Sequence, residues 1–242
     1  MWLLNSSIGK KLIMSVSGLF LILFLVFHVS MNVVAVFSGA AYDMVCGFLG
    51  SNWYAVAGTL VLAAGFIIHI IYAFILTMEN RKARGNDRYA VSARPKGVEW
   101  ASQNMLVLGI IVILFAILHF SQFWYKMMFA ELMGNHMVDL GGTAVSPQSG
   151  SAFINYYFKG NIVVTALYLV WYVALWFHLT HGFWSAIHTL GWNNTVWMNR
   201  WECISKVFAA VVCAVFAIIT IIFYLNGVGG DCSAACTAVC GH

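Results

Sequence analysis

Five long apolar stretches restrict most strongly what this chain can fold into. The stretches are 12–37, 53–78, 101–126, 160–189 and 206–227. About 20 helical residues cross a hydrocarbon core of about 30 Å, so each stretch is long enough to span a membrane. Apolar and polar residues do not alternate, and the stretches are too long for barrel strands. The sequence predicts an all-α membrane protein, a five-transmembrane-helix bundle forming a single domain over residues 1–242.

Charge supports this fold class and predicts its orientation. Only 8% of the residues are charged, against about 25% in ordinary soluble domains. The net charge of +4 does not indicate a nucleic-acid partner, because the basic residues lie between the apolar stretches. Ten of them lie on one side, against Lys126 and Lys159 on the other. The ten are Lys10, Lys11, Arg81, Lys82, Arg84, Arg88, Arg94, Lys96, Arg200 and Lys206. We therefore expect the N-terminus in the cytoplasm and the C-terminus outside, with the first stretch retained as a helix.

The sequence contains no motif that is typical of a soluble catalytic domain. There is no GxGxxG, P-loop or CxxC motif, and the loops between the stretches are too short for a second domain. The longest outer loop, 127–159, contains "DLGGTAVSPQSGS" (139–151), which is typical of an irregular loop. The chemistry that this chain serves is therefore expected in the membrane or in partner subunits.

Six histidines lie in or at the ends of the apolar stretches: His28, His69, His119, His178, His181 and His188. A single such histidine most often makes a hydrogen bond between helices. Four stretches that each carry one favour a functional explanation, because polar residues inside a membrane are costly.

Depth groups four of these histidines into two pairs. At 1.5 Å per residue, His28 is roughly 26 Å from Lys11, and His119 is roughly 28 Å beyond Trp100. Both lie in the outer half of the membrane if the predicted orientation holds.

The second and fourth stretches run in the opposite direction. His69 is roughly 15 Å from Glu79, and His178 is roughly 17 Å from the end of its stretch at residue 189. Both therefore lie in the inner half. The two pairs are predicted to lie about 10 Å apart along the membrane normal.

Two imidazoles at one depth suit the two axial positions of a haem iron. The prediction is a bundle that encloses two stacked b haems, with His28 and His119 binding the outer iron and His69 and His178 the inner iron. Five glycines are small enough to make room for a flat macrocycle, although close helix packing explains each of them equally well. They are Gly18, Gly58, Gly65, Gly109 and Gly182.

"FHLTHGFW" (177–184) leaves the ligand in the fourth stretch open. His178 and His181 are three residues apart and share a helix face. Either one is a ligand and the other a donor to a haem propionate, or both are ligands. Depth favours His178.

These residues resemble the dihaem cytochrome b subunit of succinate:quinone oxidoreductases, the succinate dehydrogenases and quinol:fumarate reductases, in its single-chain five-helix form. The resemblance extends over nearly the whole chain. It is carried by "GKKLIMSVSGL" (9–19), "HVSMN" (28–32), "HIIY" (69–72), "LHFSQFW" (118–124) and "FHLTHGFW" (177–184).

The resemblance implies a subunit of a respiratory enzyme in the bacterial cytoplasmic (inner) membrane. An FAD-containing flavoprotein subunit would interconvert succinate and fumarate, and an iron–sulfur subunit would dock on the cytoplasmic face, where the basic loop 79–99 lies. The two b haems would carry electrons between that subunit and a membrane quinone, with menaquinone expected. The dicarboxylate site would lie outside this chain, and a dimer of such complexes is compatible with this assignment.

The resemblance also suggests roles for three polar residues. Ser15 and Ser17 are candidate donors to the propionates of the inner haem, or hydrogen-bond their own helix backbone. Some relatives use a carboxylate near the outer haem to handle quinol protons. Asp43 is the acid of the first outer loop, so it is the candidate for quinone proton exchange, against the alternative of a solvated loop aspartate.

Two other functions remain open. A cytochrome b561-like transmembrane electron-transfer protein also uses two bis-histidine haems from four helices. A histidine-lined transporter is less favoured, because the apolar stretches contain no carboxylate. The final segment, with Cys232, Cys236, Cys240 and His242, is interpreted as a dispensable or disulfide-linked tail, or as a metal site.

Overall fold

The computed structural model describes residues 6–84, 100–192 and 194–228. Five of its helices are long and apolar enough to cross a membrane, as predicted. Most of the basic loop 79–99 and the whole of the tail with Cys232, Cys236, Cys240 and His242 lie outside the described residues.

Helices form nearly all of the described chain. In chain order they are α1 (Ser7–Phe37), α2 (Gly39–Phe48), α3 (Trp53–Arg84), α4 (Trp100–Gln103), α5 (Met105–His119), a π-helix (Phe120–Phe129), α6 (Ala130–Leu132), α7 (Gly150–Phe158), α8 (Ile162–Thr189) and α9 (Trp197–Asn226). Two short strands, β1 (Val138–Leu140) and β2 (Thr143–Val145), lie between α6 and α7.

The fifth membrane helix starts well before the predicted stretch 206–227. Helix α9 begins at Trp197, where the Asn194 side chain caps it by accepting hydrogen bonds from the backbone N–H groups of Val196 and Trp197, at 3.0 and 2.8 Å. Hydropathy marks only the apolar part of a helix. The cap and the charged first turns extend this one beyond that part.

The third membrane helix is not a regular α-helix throughout. Helix α5 ends at His119 and continues as a ten-residue π-helix and then as α6. π-helical segments are rare and are found mostly at functional sites. Apolar content predicts a spanning helix here, but it does not distinguish the two hydrogen-bonding patterns.

The segment predicted as an irregular loop contains a β-hairpin, which corrects that expectation. Strands β1 and β2 pair antiparallel with Leu140 opposite Thr143. Gly141 and Gly142 join them with φ angles of 64° and 92°, values that side-chain-bearing residues rarely adopt. Paired glycines between short strands are a hairpin signal, and the composition of this stretch obscured it.

The chain divides into two compact units. The first comprises Met1–Val26, Gly58–Leu114 and Trp171–Cys213. Its apolar core contains Ala101, Leu108 and Ala174, against which Ile111 and Phe177 pack. An ion pair between Lys10 and Glu79 joins α1 to α3 in this unit.

The second unit comprises Phe27–Ala57, Phe115–Val170 and Ala214–His242. Helix α2 packs against α7, and Gly150 allows their close approach, because a Cβ atom there would collide with Cys46 Sγ and with the Tyr42 ring. Phe153 on α7 is completely buried.

Candidate cofactor sites

His28 and His119 meet in the second unit. His28 lies on α1 and His119 at the end of α5, and their ring centres are 5.7 Å apart with planes at 84°. Phe216 lies 6.0 Å from the His28 ring, and Phe123 lies 5.1 Å from the His119 ring. The structure thus brings together the two histidines predicted to bind the outer haem.

His69 and His178 meet in the first unit. Their ring centres, on α3 and α8, are 6.4 Å apart with planes at 71°. His181 contacts Trp184 on its own helix, with ring centres 5.1 Å apart. Ring placement therefore pairs His178 with His69, and iron ligation by either remains a prediction.

Both pairs have the spacing that two ligands of one iron require. An imidazole nitrogen binds a metal at about 2 Å with its ring centre about 1 Å behind it, so two rings on opposite sides of one ion have centres about 6 Å apart. The separations of 5.7 and 6.4 Å bracket this value. All four side chains remain partly exposed, so neighbouring side chains do not enclose the rings completely.

Hydroxyl groups contact one histidine of each pair. Ser17 Oγ lies 3.2 Å from Nδ1 of His69, and Tyr168 Oη lies 3.2 Å from Nδ1 of His119. A ligating histidine commonly has its other ring nitrogen held in this way.

The other histidine of each pair has a different environment. Asn32 Nδ2 donates to the backbone carbonyl of His28 at 2.8 Å and lies 3.5 Å from its Nε2. Nδ1 of His178 is buried without a hydrogen-bond partner among the described residues.

Two of the five predicted glycines lie directly against ligand candidates. A Cβ atom at Gly18 would be 3.1 Å from His69 Cε1, and one at Gly109 would be 3.7 Å from His178 Cε1. At Gly58 and Gly182 a Cβ atom would meet no side chain or packed neighbour within 4 Å in the described chain. The space beside Gly65 is different, because the Phe20 ring occupies it.

Ser15 and Ser17 are both buried near the start of α1. Ser17 Oγ donates to the Met14 carbonyl at 3.0 Å, which is the backbone hydrogen bond considered as the alternative role, and it contacts His69 as well. Propionate binding by either serine remains a prediction.

Sequence reasoning missed Tyr168 and Gln122. Both are buried, and Tyr168 Oη donates to Gln122 Oε1 at 2.7 Å. The available signal was polarity, since Gln122 is a buried amide within a predicted membrane stretch, where polar groups need partners.

Asp43 lies on α2, and its carboxylate contacts the start of α7. Its Oδ1 accepts a hydrogen bond from Ser151 N and its Oδ2 accepts one from Ser151 Oγ, both at 2.7 Å. A carboxylate at this position accepts a hydrogen bond from a backbone N–H group that has no partner within the helix, and its charge interacts favourably with the helix dipole. The structure thus places Asp43 in a helix cap, and its role in quinone proton exchange remains a prediction.

Tyr42 and Cys46 adjoin Asp43 on α2. Burial, with a contribution from the Asp43 charge, raises the pKa of the Cys46 thiol to about 12. Burial also raises the pKa of Tyr42, and Cys46 and Asp43 raise it further. Tyr42 Oη donates to Asn32 Oδ1 at 3.4 Å, which connects this cluster to the residue that contacts His28.

Each histidine pair offers two imidazoles, the number that a bis-histidine haem would take from the protein. Within residues 6–84, 100–192 and 194–228, no three His, Cys, Asp or Glu side chains are grouped to hold a metal ion. No protein-family model, curated protein or solved structure matches this chain.

Proposed function

We propose that this chain is the membrane-anchor cytochrome b subunit of a succinate:quinone oxidoreductase, either a succinate dehydrogenase or a quinol:fumarate reductase. The observation that carries the proposal is the arrangement of four histidines, from four membrane helices, in two pairs with ring centres about 6 Å apart. The motifs that resemble this family support the choice among haem proteins.

The histidines act as iron ligands and hold each cofactor between two helices. His28 on α1 and His119 on α5 would hold one haem, and His69 on α3 and His178 on α8 the other. Bound haem supplies one-electron chemistry that carries electrons between an iron–sulfur subunit and a membrane quinone. Apolar side chains of the helices would line both sites and limit the access of water, which favours electron transfer over side reactions.

The inner ends of the helices suit the soluble partners. Ten of the twelve basic residues lie on the side predicted to be cytoplasmic. Arg81 and Lys82, exposed at the end of α3, belong to this group. We assign to this face the iron–sulfur subunit, which in turn holds the flavoprotein. The complex would be a multi-pass component of the bacterial cytoplasmic membrane.

Haem content tests the central claim. The purified protein should show the reduced-minus-oxidised absorption spectrum of b haem, and pyridine haemochrome quantitation should give two haems per chain. A value well below two would overturn the assignment. A colourless protein would instead favour a histidine-lined transporter.

Co-purification separates the two haem-binding alternatives. Mild detergent extraction should yield flavin and iron–sulfur clusters together with the haems, and the preparation should reduce a quinone with succinate or oxidise a quinol with fumarate. Two haems without soluble subunits or dicarboxylate activity would favour the cytochrome b561-like alternative.

A further inference from the structure

Two hydroxyl groups occupy equivalent positions in the two units. Each contacts Nδ1 of one histidine of a pair at 3.2 Å: Ser17 on His69 and Tyr168 on His119. The hydroxyls belong to different residue types on different helices, α1 and α8. Whether each hydroxyl donates to the imidazole or accepts from it depends on which acceptor binds the hydroxyl proton.

The single proton of Ser17 is committed to the backbone. Ser17 Oγ donates to the Met14 carbonyl oxygen at 3.0 Å. A hydroxyl has one proton and two lone pairs, so Ser17 can only accept from the ring nitrogen that it contacts. The Met14 carbonyl also accepts a hydrogen bond from the His69 imidazole. His69 therefore carries its proton on Nδ1, where Ser17 and Met14 both accept, and its lone pair is on Nε2.

Tyr168 is constrained in the same way by a side chain. Its hydroxyl donates to Gln122 Oε1 at 2.7 Å, which is a short bond between two buried groups. Tyr168 Oη therefore accepts from Nδ1–H of His119. His119 is held as the same tautomer as His69, with the lone pair on Nε2.

We infer that Ser17, and Tyr168 together with Gln122, are positioning residues that hold one proposed iron-binding histidine of each pair in the tautomer with its lone pair on Nε2, and that would thereby lower the reduction potential of the haem bound there. This inference rests on the proposed function and adds residues to it. In this inference Ser17 positions His69 and is no longer assigned as a donor to a haem propionate.

The effect on potential follows from ligand basicity. A hydrogen bond that accepts the Nδ1 proton makes the imidazole a stronger electron donor, which stabilises ferric over ferrous iron. An acceptor hydroxyl that donates its own proton elsewhere is polarised and accepts more strongly. Loss of either hydroxyl should therefore raise the potential of one haem only. A tenfold change in the ferric-to-ferrous preference corresponds to about 59 mV for one electron.

Redox titration of the intact complex in membranes tests the second-unit site. Tyr168→Phe should lower the ferric-to-ferrous preference of the haem held by His28 and His119 about tenfold. The reduction potential of that haem should therefore rise by about 59 mV, and the potential of the other haem should not change. Gln122→Leu should shift the same haem in the same direction but less, because the acceptor remains and only its polarisation is lost. Tyr54→Phe is the control and should shift neither haem, because the Tyr54 hydroxyl donates to the Phe48 carbonyl at 2.6 Å.

The first-unit site has its own pair of variants. Ser17→Ala should raise only the potential of the haem held by His69 and His178, and Ser17→Thr, which keeps a hydroxyl, should restore it. Ser121→Ala is the matched control, because Ser121 also donates to a carbonyl three residues earlier, at 2.7 Å.

The selectivity of the shifts decides the outcome. Selective upward shifts, or loss of the matched haem alone, support the inference. Shifts in both haems from a single substitution, no shift in either, or an equal shift in the controls would overturn it. A wild-type protein with two b haems and unshifted variants refutes the positioning role alone, whereas a wild-type protein without haem refutes the proposed function.

Discussion

The imidazole of His69 rests against the backbone of α1 at Gly18, where a Cβ atom would lie 3.1 Å from His69 Cε1. That separation is tighter than most real Cβ contacts, so a side chain at position 18 requires the His69 ring to shift by a few tenths of an ångström. The contact makes Gly18 a steric requirement for the position of a proposed ligand, in addition to the hydrogen bond between His69 Nδ1 and Ser17 Oγ.

Substitution of Gly18 should therefore remove one haem selectively. In Gly18→Val the two methyl groups need more room than a single Cβ and shift the His69 ring from its position beside His178, so we expect one haem per chain to remain instead of two. Gly58→Ala is the matched control, because its Cβ meets no packed neighbour within 4 Å. Haem quantitation and redox titration measure both variants, and retention of two haems in Gly18→Val would contradict the prediction.

Single histidine substitutions test the pairing. His28→Ala and His119→Ala should delete the same redox component, while His69→Ala and His178→Ala delete the other, because each pair shares one iron. His181→Ala should keep both haems. If His28→Ala and His69→Ala delete the same component, the two-pair arrangement is wrong.

A separate result would contradict the choice of His178 over His181 as the ligand on α8. Loss of the His69 component in His181→Ala, together with two intact haems in His178→Ala, would exchange the assigned roles of these two residues.

Asp43 has a structural role and a predicted chemical one, which two variants separate. Asp43→Asn and Ser151→Ala both weaken the cap of α7, so each should cost about 1 kcal/mol of stability. Only Asp43→Asn removes an ionisable group. We expect it alone to slow quinone turnover, by about 100-fold at saturating substrate, with both haems retained. Equal turnover in the two variants would leave Asp43 with its capping role alone.

The Cys46 thiol should be protected from alkylation by its raised pKa as well as by its partial burial. Thiolate is the reactive form, and with a pKa of about 12 almost none exists at pH 8. A variant that keeps Cys46 as its single cysteine should react with maleimide far more slowly than one that keeps only the exposed Cys203.

Raising the pH from 7 to 9 should leave Cys46 in this protected state, because both values lie well below its pKa. Rates for Cys46 and Cys203 that become equal within this range would contradict the described packing of α2 on α7.

Charge reversal tests the predicted docking face. Arg81→Glu with Lys82→Glu should release the soluble subunits from membranes, because it places acids where the partner is expected to meet cations. Both haems should remain, which verifies insertion. Lys126→Glu with Lys159→Glu, on the side predicted to be outside, is the matched control and should retain the subunits. Release by the control pair would contradict the orientation.

The sequence by itself determined the membrane helices and the identity of the histidines. Apolar length is a local property, so all five spanning helices were predictable from runs of residues alone. The helix rise converts residue number into depth, and depth alone grouped His28 with His119 and His69 with His178. It could not show which ring faces which, because depth says nothing about rotation around a helix axis.

Tertiary structure decided the contacts of those histidines. Ser17 and His69 are 52 positions apart, and His119 and Tyr168 are 49 apart, so no local pattern connects them. The Asp43 cap joins residues 108 positions apart. Such hydrogen bonds depend on how helices rotate and pack, which hydropathy does not encode. The π-helix after His119 was unpredictable for the same reason. Hydrophobicity favours a helix there, and side-chain packing decides whether its hydrogen bonds follow the α or the π pattern.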